Sequence, residues 1–185
     1  MTMSREIKLV RGPNSYRLAF MPADEINGYK GVKYKKEAVL VSGELEIINS
    51  KQVDLAKTEV KFNISNIKEK EVAFKLSNSQ GDELLFGYDT SANTFYVDRR
   101  KSGKVNFEER FASKISIAPR TSSNKNLNGT ILLDKTSIEL FFDDGETVMT
   151  EIFFPNAPFD KFSAISKNQE YVLDYIEANQ LTINN

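Results

Sequence analysis

The feature that most constrains this chain is hydrophobic alternation with a period of two. In Val60-Lys61-Phe62-Asn63-Ile64 the apolar side chains share one face and the polar ones the other, as a half-buried strand requires. Val72, Phe74 and Leu76 repeat the pattern, as do Ile138, Leu140 and Phe142 with Glu139 on the opposite face, and then Val148, Thr150 and Ile152. Between these segments sit Asn78-Ser-Gln-Gly-Asp82, Thr90-Ser-Ala-Asn93, Lys101-Ser-Gly-Lys104 and Asp143-Asp-Gly145. These are turn sequences of the kind that separate short strands at spacings of about 8 to 12 residues. The rhythm predicts an all-β fold, an antiparallel sandwich or barrel. Tyr171 to Asn179 fits a helix nearly as well as a strand; its β-branched and aromatic content decides for strand.

Composition narrows the chemistry. The 185 residues contain no His, Cys or Trp. Disulfides, thiolate nucleophiles, imidazole bases and zinc sites built on nitrogen or sulfur are therefore excluded. With 25 Lys and Arg against 26 Asp and Glu the net charge is −1, and no basic face suited to nucleic acid is expected. The nearest candidate, Lys30, Lys33, Lys35 and Lys36, has only Tyr29 and Tyr34 interleaved and reads as a solvated connector. The opening residues lack the apolar stretch of a signal peptide, and no apolar run is long enough to span a bilayer, so no membrane partner is expected. No GxGxxG or Walker pattern is present to cradle phosphate, and no cofactor is expected.

Carboxylates alone can support glycoside hydrolysis. The candidates are Asp89, Asp98, Asp134, Glu139, Asp143 and Asp144. Asp143 and Asp144 belong to the tight turn Phe142-Asp-Asp-Gly145, where Asp-Gly is favoured for its backbone angles. Asp98 and Arg99 are consecutive on a strand and point to opposite faces, so each is expected to find partners on neighbouring strands. No catalytic pair is expected. Calcium is the one metal that fits the composition, through Asn78 to Asp82 or Asp143 to Gly145, but no EF-hand spacing supports it, and no metal ligands are assigned. Tyr88, Phe95, Tyr96, Phe141 and Phe153 would make a sugar-stacking platform if exposed on one sheet face, although aromatics in a Phe-rich sandwich are more often core. Asn63-Ile-Ser65 and Asn128-Gly-Thr130 match the glycosylation sequon, a short pattern with little weight outside a secretory context.

The chain opens with two segments, Arg5 to Val10 and Tyr16 to Met21, that form a hairpin around Arg11-Gly-Pro-Asn14. A coarse boundary near residues 23 to 36 divides an N-terminal hairpin and linker, 1–35, from a main run of strands, 36–185.

One ordered set of motifs goes further. It comprises Leu85-Phe-Gly-Tyr-Asp89, Phe95-Tyr-Val-Asp-Arg99 with Ser102-Gly103, Ile131-Leu-Leu-Asp134, Ser137-Ile-Glu-Leu-Phe141, Asp144-Gly145, Met149-Thr150 and Ile152-Phe-Phe-Pro155. Each is weak alone, but in this order and spacing they resemble the C-terminal β-sandwich module of glycoside hydrolase family 32, the invertases, levanases, inulinases and other β-fructosidases. Ser4-Arg-Glu-Ile7, Tyr16-Arg-Leu18 and Pro22-Ala-Asp-Glu-Ile26 look like the passage by which those enzymes leave their catalytic propeller and enter the sandwich.

The resemblance implies a two-sheet, jelly-roll-like sandwich without catalytic residues. The family's "NDPNG", "RDP" and "EC" carboxylate motifs are absent, and a chain without Cys cannot carry the last. The implied partner is a β-propeller catalytic domain, in cis or from an upstream reading frame, which the module would stabilise while shaping its rim or the contacts of a homo-oligomer. The alternative is an autonomous lectin-like module binding fructan or another carbohydrate. Tyr88, Tyr96 and Arg99 are the residues nominated for carbohydrate or interface contact. Lys135 stands where the family often has Arg, so a bidentate guanidinium role there lacks its group. If the first hairpin derives from the last propeller blade, its pairing edge should be exposed. Relatives are often exported to the periplasm or beyond, whereas this sequence shows no address.

Overall fold

A computed structural model describes residues 3–12, 15–65 and 67–182. Strands β1 (Arg5–Arg11) and β2 (Tyr16–Pro22) form the expected hairpin and are followed by a 3-10 turn over Asp24–Tyr29. Pro13 and Asn14, at the tip of the expected turn, lie outside the described residues. The chain continues through β3 (Lys30–Val41), β4 (Glu44–Asn49), β5 (Lys57–Ile64), β6 (Glu71–Ser77), β7 (Glu83–Asp89), β8 (Thr94–Lys101) and β9 (Ser116–Pro119). It ends with β10 (Leu127–Asp134), β11 (Ser137–Phe142), β12 (Thr147–Ile152), β13 (Lys161–Ile165) and β14 (Tyr171–Leu181). The ambiguous C-terminal segment is thus a strand.

Two antiparallel six-stranded sheets face each other, one ordered β12-β11-β10-β5-β14-β3 and the other β4-β13-β6-β7-β8-β9. Of the sandwich or barrel read from the alternation, the fold is the sandwich, and no closed barrel forms among the described residues. Val60, Phe62 and Ile64 from the first sheet meet Val72, Phe74, Leu76 and Phe86 from the second in one continuous core. Aromatic pairs tie the layers together: Phe62 and Phe74 lie 4.7 Å apart, and Phe95 stacks on Phe142 at 4.0 Å with ring planes 2° apart. Such pairs contribute about 0.5–1.5 kcal/mol each beyond the area they bury.

Three local readings are corrected. The lysine-rich stretch expected as a connector is part of β3, an edge strand paired to β14; charge on an edge discourages pairing with other chains and so suits this position. On β12 the buried inward residues are Thr147 and Met149, so Val148, Thr150 and Ile152 lie on the outer face. There Val148 packs under the N-terminal hairpin, which explains an apolar pattern on the face turned away from the core. Asp98 takes Arg100, two residues along the same strand, as its partner instead of a group on a neighbouring strand. Same-face spacing along a strand makes that pairing possible.

Candidate functional site

The N-terminal hairpin is a separate two-stranded sheet that rides on the outer face of the first six-stranded sheet. One side of it is fastened down. Ala19 is buried, and Met21 joins Ile26, Leu132, Phe141, Val148 and Leu181 in a second, smaller apolar cluster. Arg5 places a guanidinium nitrogen 2.6 Å from Glu139 Oε2 and lies over the Phe141 ring, while Arg17 pairs with Glu146 at 3.3 Å. The Phe20 amide donates to the Gly145 carbonyl at 2.9 Å.

The other side is covered at its Arg5–Pro22 end and is apolar and bare beyond it. Pairing sets Ile7 opposite Phe20, Leu9 opposite Leu18 and Arg11 opposite Tyr16, so these residues share one face. On it Ile7, Leu9, Tyr16 and Leu18 are 64%, 66%, 65% and 52% exposed. A contiguous apolar face on a two-stranded ribbon marks a surface built to be covered. The sequence reading found the hairpin and its free edge but not this face. The signal was there, because Ile7 and Leu9 alternate with Lys8 while Tyr16, Leu18 and Phe20 alternate with Arg17 and Ala19, giving each strand two distinct sides.

The three nominated residues do not come together. Tyr88, on β7, faces inward opposite Phe95; its hydroxyl donates to Asn93 Oδ1 at 2.8 Å, and the Arg120 guanidinium lies over its ring at 4.9 Å. Tyr96 is one residue past Phe95 and so points away from the core, where its hydroxyl donates to Glu71 at 2.5 Å. Burial and that carboxylate drive its pKa far above the usual phenol range. Arg99 sits at the end of β8 with Glu151 at 3.1 Å, donates to the Ile152 carbonyl at 2.8 Å and stacks over Phe111 at 4.3 Å. All three are held within the chain. The other proposed platform residues, Phe95, Phe141 and Phe153, are buried.

Five of the six carboxylate candidates serve structure. Asp89 accepts from the Ser91 and Ala92 amides and Asp98 pairs with Arg100. Glu139 holds Arg5 and the Met3 amide, and Asp144 takes the Asn128 side-chain amide at 3.4 Å. Asp134, at the end of β10, is exposed. In the turn, Asp143 and Asp144 both adopt the left-handed conformation, with φ of 51° and 55°, which Asp tolerates better than most residues. Asp143 is buried and receives two hydrogen bonds from Arg120, at 2.7 and 2.9 Å. In the Asn78–Asp82 loop the Asp82 carboxylate accepts from the Asn78 side chain and from both the backbone and side chain of Asn156. Donors thus occupy the oxygens that calcium would need. Among the described residues no group of three or more Asp or Glu is arranged to hold a metal, and no helix is long and apolar enough to cross a membrane.

Comparisons with known proteins agree with this architecture. The levanase of Bacillus subtilis (strain 168) is 26% identical over 156 residues, covering 84% of this chain and 23% of the levanase. The extracellular exo-inulinase of Aspergillus awamori is 34% identical over 76 residues, 41% of this chain and 14% of that protein. The chain therefore spans less than a quarter of these relatives. The crystal structure of exo-inulinase from Aspergillus awamori superposes with a TM-score of 0.81 at 20% identity, covering 96% of this chain and 35% of that one. A β-fructofuranosidase from Schwanniomyces occidentalis superposes with a TM-score of 0.75 at 19% identity, over 98% and 40%. At these identities the structural matches speak for the fold alone. The family described as "Glycosyl hydrolases family 32 C terminal" matches residues 26–182, and the chain belongs to that family.

Proposed function

We propose that this chain is the non-catalytic accessory module of a β-fructosidase, a levanase-like or inulinase-like enzyme, and that it docks on and stabilises a catalytic propeller supplied in cis or by an upstream reading frame. The observation that carries this reading is the bare apolar face of Ile7, Leu9, Tyr16 and Leu18 on a hairpin whose opposite side is already fastened to the sandwich. A two-stranded ribbon is marginal alone. Further strands or a packed partner would complete it, and a blade end left on the module has this need. In this reading residues 1–35 carry over from the propeller and 36–185 form the module. Because β3 runs through the boundary, the join is a continuous strand and not a free linker. The name of the Aspergillus awamori relative, an extracellular exo-inulinase, favours an exported parent.

Two measurements test the proposal. The purified chain should release no fructose from sucrose, levan or inulin, and the coding region upstream should carry the three carboxylate motifs of a propeller. Release of fructose by the chain, lost on replacing a single Asp or Glu, would overturn it.

The alternative is a carbohydrate-binding module. The nominated Tyr88, Tyr96 and Arg99 do not favour it, since each is tied up inside the fold.

A further inference from the structure

The outer face of the first sheet carries a polar row that neither the core nor the hairpin uses. Register places Asn63 on β5 directly opposite Asn128 on β10 and, on its other side, opposite Tyr175 on β14, which in turn faces Glu37 on β3. Asp144 extends the row beyond Asn128, whose side-chain oxygen accepts the Asp144 amide at 3.0 Å and whose NH2 donates to Asp144 Oδ2 at 3.4 Å, leaving its second N–H and Asp144 Oδ1 without a partner among the described residues. Five side chains from four strands and one turn therefore form a single line, with neighbouring strands about 4.8 Å apart. Both sequon asparagines fall in this line and sit side by side. They are on central strands and not on the surface loops where glycan acceptors usually lie.

Three properties define what this row can hold. Tyr175 is 36% exposed, so its ring offers an apolar flat surface beside polar neighbours. Asn63 Oδ1 is buried and accepts no hydrogen bond among the described residues, although a buried acceptor without a donor is costly. The groups in the row are amides, a phenol and carboxylates, which between them both donate and accept, as hydroxyl-rich ligands do. The phenol remains protonated and able to donate, because burial and the nearby Glu177 and Asp144 carboxylates raise its pKa. Asp144 at one end repels anions, while Glu37 at the other is paired with Lys35 at 2.9 Å, so the row suits an uncharged ligand better than phosphate or sulfate.

We propose that Asn63, Asn128, Asp144 and Tyr175 form a subsite for a neutral saccharide, with a sugar ring stacked on Tyr175 and its hydroxyls bonded by the Asn63 amide and by the N–H and carboxylate oxygen that the Asn128–Asp144 pair leaves unused. The saccharide class follows from the row itself, whereas choosing a β-fructan as its source rests on the function proposed above. The site lies on a different face from Tyr88, Tyr96 and Arg99 and needs none of them.

The test is a nuclear magnetic resonance titration of the isotope-labelled 185-residue chain with levan-type and inulin-type oligosaccharides and, in parallel, a dextran oligosaccharide. Saturable shifts at the Asn63 and Asn128 side-chain amides and around Tyr175 are expected with the fructans. Tyr175→Ala should weaken binding about tenfold, in line with the worth of an aromatic contact, while Tyr175→Phe should keep most of it. Unchanged thermal unfolding of both variants would separate lost binding from lost fold. If Tyr175→Ala does unfold, Asn63→Ala, with an expected drop of several-fold, provides the same reading. Dextran binding at these residues in place of fructan would support the subsite and count against the β-fructosidase reading. No saturable shift with any of the three sugars, shifts confined to residues outside this row, or an affinity unchanged in Tyr175→Ala would overturn the subsite.

Discussion

The backbone of Gly145 lies so close to that of Phe20 that a Cβ on the glycine would stand 2.1 Å from the Phe20 carbonyl oxygen. Gly145 also has φ of +83°, a conformation that side chains disfavour. The third left-handed residue of the β11–β12 turn thus doubles as the seat of the N-terminal hairpin, and the Phe20 amide closes the contact on the Gly145 carbonyl. Gly145→Ala should lift the hairpin while leaving the two six-stranded sheets intact. The expected result is a loss of hydrogen-exchange protection at Phe20 and Ala19, with a stability decrease of about 1–3 kcal/mol.

Arg120 and Asp143 join the loop after β9 to the same turn. The guanidinium also donates from Nη2 to the Asn124 and Asn126 carbonyls at 3.0 and 2.7 Å, so its Nε and Nη2 donors are all engaged. Removing one partner of a buried pair strands the other charge, at about 3–5 kcal/mol. Arg120→Ala should lower the unfolding midpoint in denaturant to that extent. Arg120→Lys, which keeps charge but not the planar fork, should recover only part of it.

The alternation in β5, β6 and β11 made the sandwich legible because burial on one face imposes period two directly. It failed at β12, where the outer face is itself covered, and at Lys30 to Lys36, where charge marks a strand edge as readily as a linker. The turn role of Asp143 and Asp144 was readable from local backbone preference, but the Arg120 that holds Asp143 is 23 residues away and left no spacing signal. The row of Asn63, Asn128 and Tyr175 was hidden for the same reason. Its members are adjacent only through cross-strand register, which a single sequence does not display.

Acid should weaken the fold at two buried carboxylates. Burial pushes Asp82 up, but hydrogen bonds from Asn78, Asn156 and the Ala157 backbone outweigh it and leave its pKa below the ordinary 3.8. Glu69 likewise ends below its ordinary 4.5, burial being overcome by donors from Asn168, Gln169 and Lys70. A carboxyl with a lowered folded-state pKa adds stability that is fully present above its unfolded value and is lost as pH falls through the folded one. Stability should therefore hold from neutral pH to about pH 5 and decline below about pH 4. Asp82→Asn should flatten part of that decline while lowering stability at neutral pH. An unfolding free energy in Asp82→Asn that tracks the parent chain at every pH would contradict the assignment.

The bare face of the hairpin gives the most direct test of docking. Leu9 and Leu18 face each other across β1 and β2 and are both exposed, so Leu9→Glu with Leu18→Glu places two like charges side by side without touching the sandwich core. Exposed substitutions of this kind leave a domain's own stability within a few tenths to 1 kcal/mol, the cross-strand repulsion being the larger part. In the isolated chain the pair should change the unfolding midpoint little and reduce self-association at high concentration. When a catalytic propeller is present the same pair should weaken docking strongly, because burying two uncompensated carboxylates costs several kcal/mol. Thermal inactivation of the assembled enzyme is the measurement. An assembled enzyme carrying both substitutions that inactivates at the parent temperature would show that this face is not where the two parts meet.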